Sequence, residues 1–432
     1  MIRSGVVGLA LIAGAAHAAP GLLNSGGQFS TGGVTTGRAL PSTTGNPALL
    51  PLTLKETRGF RMSAFELPSI GLEFGGADNF IDDIERLEEQ LELAEMGQAN
   101  PQDIKNEFDP ILAKLGDAAY VTVDAYLPVP LVPMTFRAFG GVMSVHLDLA
   151  ASARASLLDA PIDIDVENNE VTTDSALFLR SGQFIRGSLG YGLPLLPGQF
   201  LGMKGNLNIG ARLHVIQGDM SQVVARIEDE SDDESAFDRI EDEFDALTKA
   251  TTAVGLDVGA AWVTDNVHLG LNLKNLISPS FDVPGVREGC ERLNSLDYCS
   301  RADVSGVLDE AERLGKFTMD PQATAEAVFT VPGTRLRLAS ALDLNNIENV
   351  GGDEVQNLYM GVIYEGPWYF PSVRLGYQSN LSGNKVDAMT AGINLFGVLN
   401  IDALYGLDDV IFDGDKVPRA AAIRIGFAVP FR

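Results

Sequence analysis

Four histidines, two cysteines and dense runs of carboxylates are the residues through which this chain could do chemistry, and their spacing argues against most of it. His146, His214 and His268 each stand singly in an alternating segment, and His17 lies in a stretch with export-signal character. Neither G-x-S-x-G nor H-E-x-x-H occurs, so no nucleophile elbow and no zinc-protease helix is encoded. The three remaining histidines therefore read as solvated members of polar strand faces, and the chain is not expected to be an enzyme. A serine and a histidine converging at the wall of the fold would reopen a hydrolase reading. Eight residues separate Cys290 from Cys299, which fits no C-x-x-C metal or redox motif. In an exported chain the pair reads as a local disulfide, the alternative being two unpaired loop thiols. The acidic run 228–234 could hold Ca²⁺ or Mg²⁺ at a lipopolysaccharide surface, but it lacks EF-hand ligand spacing and reads as a solvated face. No cofactor and no metal site are expected.

The elements that must position these residues are alternating strands. In 252–274, Val254, Leu256, Val258, Ala260 and Trp262 share one face, as do Val267, Leu269, Leu271 and Leu273 beyond a short turn. The opposite face carries Gly255, Asp257, Gly259, His268, Asn272 and Lys274. Such period-two alternation marks strands with one apolar and one polar face. It recurs along the chain, giving about fourteen strands of the length a tilted membrane strand needs. The fold class expected is therefore all-β, a transmembrane antiparallel barrel of about fourteen strands. Its inward polar residues would include Asp257, His268, Asn272, Lys274, Arg335, Arg337, Asp343, Arg374 and Arg424.

Connections sort by length. Short ones follow even-numbered strands, at turns near Pro130, Pro197, Asp265, Gly333, Pro367 and Gly397, and every long one follows an odd-numbered strand. Short periplasmic turns and long outer loops are the layout of a membrane barrel. Charge sorts the same way. Of the net −27, segments 78–116, 219–250, 281–320 and 407–416 contribute −24, leaving the strand regions close to neutral. That acidity also argues against a nucleic-acid partner. Segments 78–116 and 219–250 carry helical periodicity: Phe80, Ile84, Leu87, Leu91 and Ala94 form one stripe, and Phe237, Ile240, Phe244 and Leu247 another. Such stripes could dock a partner.

The first eighteen residues read as a signal peptide. Arg3 is followed by the apolar stretch 6–13 and an A-x-A site at Ala16-His17-Ala18. A short anchor helix is the alternative. Residues 19–56 form a Gly/Ser/Thr-rich arm with apolar islands, and 57–432 the barrel. Phe427, Val429 and Phe431 give an alternating terminal strand for the barrel-assembly machinery, although Arg432 follows the aromatic. Outer-membrane lipid and lipopolysaccharide are the other partners expected of a chain in the bacterial outer membrane.

Three motifs carry a family resemblance: Asn46-Pro47-Ala48 in the arm, Gly255-Leu256-Asp257-Val258-Gly259 with 269–276, and Arg374-Leu375-Gly376-Tyr377. Together they resemble FadL-type outer-membrane transport barrels, and within them most nearly the TraF-like plasmid-transfer barrels. The resemblance covers most of the chain. It implies a fourteen-stranded barrel whose N-terminal arm folds into the lumen as a hatch containing Asn46, Pro47 and Ala48. From the residues alone, Asn46-Pro47 is equally a turn before a strand. The function implied is a channel or importer of small molecules, hydrophobic ones included; the alternative is a surface or structural component of a conjugal-transfer apparatus. FadL-type barrels bind hydrophobic cargo in apolar lumen pockets, and the polar inward faces here depart from that.

Overall fold

The computed structural model describes residues 30–34, 45–54, 59–62, 65–75, 80–96, 98–165, 170–173, 175–200, 202–226, 247–285, 315–367, 369–396, 398–412 and 415–427. The signal-peptide segment, Cys290 and Cys299, most of the 219–250 insertion and residues 428–432 lie outside them.

Fourteen strands pair in chain order. They are β1 (Ser69–Phe74), β2 (Tyr120–Pro128), β3 (Gly141–Leu158), β4 (Ala176–Phe200), β5 (Met203–Arg226), β6 (Thr248–Val263) and β7 (Val267–Lys274). The other half comprises β8 (Gln322–Thr330), β9 (Leu336–Asp343), β10 (Asn357–Tyr364), β11 (Ser372–Asn380), β12 (Asp387–Leu395), β13 (Leu399–Gly406) and β14 (Ala420–Phe427). Every neighbouring pair is antiparallel, and β14 returns to β1 through Ile423 opposite Ile70, so the sheet closes. Closure removes the edges that a membrane would leave unsatisfied. No described helix is long and apolar enough to cross a membrane.

The alternation resolves into two faces. Val145, Leu189, Leu213 and Leu256 lie in one register row across β3 to β6. Leu189, Leu213, Leu271, Leu338, Met360, Leu375, Met389 and Ile423 are all substantially exposed. Aliphatic side chains standing in rows on the outside of a closed barrel are what a lipid-facing belt requires. The inward residues of the same strands are almost all buried.

Several boundaries differ from the sequence expectation. The 128–133 segment is not the reversal between β2 and β3. Pro128 pairs with Asp148 and Met134 with Val145, so five residues face two and form a bulge. The chain continues along β3 as Met134–Ala138 and reverses at Phe139-Gly140, where φ is 51° and 79°. Positive φ at both central residues is the hairpin geometry that usually selects Asn-Gly, so Phe139 disguised the turn. Nor do Pro194 and Pro197 end β4. Pairing to β3 stops at Gly192, and Leu195 bulges between Pro194 and Leu196. On such an edge a missing N–H costs no ladder bond. Finally, β5 and β6 pair up to Ser221 and Thr248, and β5 continues against β4 to Arg226, inside the segment expected to be a helical insertion.

The first insertion does form two helices, Phe80–Glu95 and Pro101–Ala118. The Asn100 side chain accepts a hydrogen bond from Gln102 N ahead of Pro101, capping the second. Its stripe is not free to dock a partner. Ile84, Leu87, Leu91 and Ala94, with Ile104, Phe108, Leu112 and Leu115, are buried together with Ala155, Leu157, Leu177, Leu179 and Val223. The last five share strand parity with the lipid-facing Val145, Leu189 and Leu213. The helical hairpin therefore covers the outer face of β3–β5 where these strands project past the belt. Burying each Leu or Phe contributes about 1.5–3 kcal/mol, and Asp109 Oδ1, accepting from Ile162 N at 2.8 Å, fixes the position. Phe108→Ala should cost about 3–5 kcal/mol of this docking. Limited proteolysis should then cut within 80–118 while the barrel keeps its heat-modifiable gel mobility; unchanged resistance of the hairpin would refute the packing role.

Candidate functional site

The lumen is where the charged inward residues meet. Across β3 to β6 one register row reads Val142, Gly192, Gly210, Gly259. Three successive glycines leave a trough in the wall, and a segment of the arm lies in it. Pro47–Leu49 forms a 3₁₀ turn and Leu50–Thr53 a helical turn, with Asn46 as cap accepting from Ala48 N at 3.0 Å. A β-carbon on Gly210 would stand 2.3 Å from the Pro47 carbonyl carbon, one on Gly192 2.4 Å from Pro47 O, and one on Gly259 2.0 Å from Asn46 Oδ1. Asn46 Nδ2 also donates to Leu271 O at 3.2 Å. Thus Asn46, Pro47 and Ala48 are buried among inward faces of the barrel, and Leu50 and Leu54 pack with Val142.

Charged groups lie directly beside the trough. Arg212 Nη1 donates to Gly45 O at 2.7 Å and stands 3.6 Å from Asp257 Oδ2. Asp257 Oδ2 is 2.8 Å from His214 Nε2, Asp257 Oδ1 accepts from Asn275 N at 3.0 Å, and His214 Nδ1 is 2.7 Å from Ser188 Oγ. On β3 and β4, Arg186 pairs with Asp148 at 2.9 Å.

A second piece of the arm meets the opposite half of the barrel. Asp402, fully buried, lies 2.8 Å from Arg374 and 3.4 Å from Arg424. Ser30 Oγ donates to Asp402 Oδ1 at 2.5 Å and accepts from Arg374 Nε at 2.7 Å. The Ser30 carbonyl accepts from Tyr359 OH at 2.9 Å and from Thr390 Oγ1 at 3.2 Å. Gly376 leaves room for the Tyr359 ring, and Val34 is buried with Val328, Ala339 and Tyr359.

Above these contacts, toward the long connections, lies a cavity of about 60 Å³. Gly32–Val34 and Asn46 line it on the arm side; Asn272, Lys274, Gln322, Glu326, Asp343 and Gln378 line it on the barrel side. Asp343 accepts from Thr324 Oγ1 at 2.7 Å and Asn357 N at 3.0 Å, and Lys274 Nζ is 3.4 Å from Gln322 Oε1.

The nine inward residues expected from alternation therefore fall in separate places. Asp257, Asn272, Lys274 and Asp343 surround one side of the arm, and Arg374 and Arg424 the other. His268 is inward and buried on β7. Arg337 pairs with Glu365 at 3.1 Å near a short turn, and Arg335 is exposed beside it. The histidines are not solvated: His146, His214 and His268 are 3, 2 and 8 % exposed, because arm and neighbouring side chains fill the lumen around them. Ser30, Ser188, Tyr359 and Asp402 were not singled out. Asp402 carries a signal in hindsight, a lone carboxylate beside Asn400 on the inward parity of its strand. The serines carry none.

The trough depends on glycine at positions 192, 210 and 259. Gly210→Val should force residues 45–54 out of the trough. Ala48→Cys, in a background lacking Cys290 and Cys299, should be protected from maleimide in the parent barrel. It should react at least tenfold faster with Gly210→Val and unchanged with Gly59→Val, where a β-carbon meets nothing within 4 Å. Equal protection in all three would refute the seat.

Residues 43–343 match the family model described as "F plasmid transfer operon, TraF, protein". Among solved structures the chain is similar to the Ralstonia pickettii toluene transporter TbuX, at 9% identity and TM-score 0.44, covering 90% of this chain and 92% of that one. It is similar at TM-score 0.30 to the pyoverdine outer-membrane receptor FpvA of Pseudomonas aeruginosa PAO1, with 12% identity over 71% of this chain and 48% of that one. Outer membrane phospholipase A of Escherichia coli matches at 7% identity and TM-score 0.23, over 87% of this chain and 100% of that one. No curated protein matches the chain in sequence.

Proposed function

This chain belongs to the family described as the F plasmid transfer operon TraF protein, and we propose that it is an outer-membrane conduit for small solutes whose N-terminal arm is the hatch. The observation that carries the reading is the glycine trough. Three strands give up side chains at one level of the wall, and the arm backbone fills the space. A wall glycine is a poor choice for strand stability, so a row of them fits a wall shaped around an occupant. The described polar ties of the arm to the barrel wall are hydrogen bonds, four at Ser30 and one each at Gly45 and Asn46, which water can replace.

The lining favours polar solutes. The cavity facing the long connections presents amides, two carboxylates and one lysine. Inward apolar side chains such as Phe184, Ile216, Met220, Ala388 and Leu404 are already buried, packed with Phe281, Val283 and Phe317. Lipid and lipopolysaccharide around the belt, and barrel-assembly machinery at the terminal strand, are the partners such a barrel takes.

A second reading, a structural component of a plasmid-transfer apparatus, is favoured by the family description itself. With the first helical stripe covered by the chain's own strands, partner docking would fall to the 219–250 insertion. Deleting 227–246 should then abolish partner pull-down.

Planar-bilayer recording separates the two. The full chain should show rare, small openings, and the barrel lacking residues 19–56 should show sustained steps at least several-fold larger. Replacing Glu326 and Asp343 by Gln and Asn should shift reversal potential in a salt gradient toward anions. Persistent silence of the hatchless barrel, inserted and heat-modifiable, would sink the conduit reading and leave the structural one.

A further inference from the structure

Ser188, His214 and Asp257 stand side by side on β4, β5 and β6, and a conduit has no use for them as a set. The protonation of the chain of contacts follows from their chemistry. An ionised carboxylate only accepts, so with His214 Nε2 2.8 Å from Asp257 Oδ2 the ring proton belongs on Nε2. The neutral ring then presents a lone pair at Nδ1, 2.7 Å from Ser188 Oγ, and the hydroxyl donates to it. That is a nucleophile held against a base, with the base oriented by a third group. Asp257 is itself fixed by Asn275 N at 3.0 Å.

A second observation lies across the other ladder. His146 is the register partner of Ser188 on β3, so both side chains enter the lumen at one level. His146 is 3 % exposed, and its Nε2 meets no hydrogen-bond partner among the described residues. A buried ring nitrogen left without a partner costs stability, and a purely structural Ser–His–Asp chain has no need of it. Beside Ser188, however, a donor is required for any carbonyl chemistry. The Ser188 segment is committed to ladders with both β3 and β5, so a backbone oxyanion hole cannot form there and a side chain must serve.

The space for an acyl group is also identifiable. Gly190 is the next inward residue of β4 after Ser188, and a β-carbon there would lie 2.5 Å from Ser144 Oγ, 3.3 Å from Leu50 Cδ1 of the arm and 3.5 Å from Arg212 Nε. The arm's Leu50 is thus the apolar wall of the space beside this position, and it leaves with the arm.

We propose that Ser188, His214 and Asp257 form a serine hydrolase site for carboxylic esters with short aliphatic acyl chains, covered by the arm and uncovered when the arm moves. His146 Nε2–H donates to the carbonyl oxygen. Ser188 Oγ attacks the carbonyl carbon while its proton passes to His214 Nδ1. The C–O bond to the alcohol breaks, and the alcohol leaves with that proton. Water then attacks the acyl-serine, giving its proton to His214; the acyl carbon–Ser188 Oγ bond breaks, Ser188 recovers the proton and the carboxylic acid departs. The site rests on the same arm displacement as the hatch, though not on conduction.

The test uses an alkyl fluorophosphonate, with adducts located by tandem mass spectrometry, and p-nitrophenyl butyrate as substrate. The wild-type barrel should be modified slowly at Ser188, and Gly210→Val or the barrel lacking 19–56 at least tenfold faster. Ser188→Ala should show no adduct and no turnover. His146→Ala should lower kcat more than it raises KM, whereas a residue that merely packed against Ser188 would leave that split unchanged. Absence of a Ser188 adduct from all three forms after prolonged exposure overturns the proposal; the wild type needs no substitution to fold, so that result is always obtainable. Conductance recorded on the same preparations separates the readings: a conducting barrel without adduct refutes the hydrolase and keeps the conduit, and an adduct without conductance refutes the conduit and keeps the hydrolase.

Discussion

The close approach of arm backbone to barrel wall is the constraint on which the rest of this structure depends. At Gly192, Gly210 and Gly259 a β-carbon would fall well inside van der Waals distance of Pro47 or Asn46. Real side chains cannot be placed there, so wall sequence and arm sequence are mutually determined. The three sequence motifs, in the arm, in β6–β7 and in β11, all lie where arm and wall meet. Asn46-Pro47-Ala48 is the inserted segment. Gly259 of the G-L-D-V-G motif makes room for Asn46, while Asp257 of the same motif anchors His214 and Arg212 beside it. Gly376 of the R-L-G-Y motif makes room for Tyr359, whose hydroxyl, with Arg374, holds Ser30. Motifs separated by up to 330 residues in sequence are thus one device in space.

Buried charge explains how firmly the device closes. Asp402 has no exposure and sits between two arginines, and Arg212 is nearly as buried beside Asp257. Such groups are tolerated in a protein interior only when their hydrogen-bonding capacity is met, and breaking a buried pair costs about 3–5 kcal/mol. The arm supplies part of what they need: the Ser30 hydroxyl at Asp402 and the Gly45 carbonyl at Arg212. Displacing the arm would ask water to take both places. With the wall ion pairs intact, its cost would be a few hydrogen-bond exchanges plus the burial of a few leucines.

Much of the fold was legible because a barrel wall obeys a period-two rule at every residue. Strand number, order, inward set and loop sorting follow from alternation, and tertiary context cannot override it without placing a charge in lipid. What misled were residues whose usual meaning is local. Pro128–Pro133 and Pro194–Pro197 read as turns, yet they occupy a bulge and an edge where a proline costs no ladder bond. Phe139 is a strand-favouring residue type, yet it forms the hairpin turn at positive φ. The helical stripe of Ile84, Leu87 and Leu91 was read correctly as apolar, but a stripe does not say what covers it; here the projecting ends of β3–β5 do.

The site was legible only one residue at a time. Alternation sends Asp257, Arg374 and Arg424 inward, but which of them meet depends on register between strands, and register is not written in any single strand. Ser188 reaches His214 because β4 and β5 pair these two positions, and a slip of one residue would put the two side chains on opposite faces of the wall. The same holds for the trough, which exists only because Gly192, Gly210 and Gly259 fall at one level. A sequence-only search for it would compare glycines across hairpins at the register their turns impose. β5 and β6 have that information in principle, yet their connecting residues are far apart, and the bulge at Leu195 shifts the β4–β5 register by one. The bulge between Pro194 and Leu196 therefore governs the alignment of Gly192 with Gly210, and through it the seat of the arm.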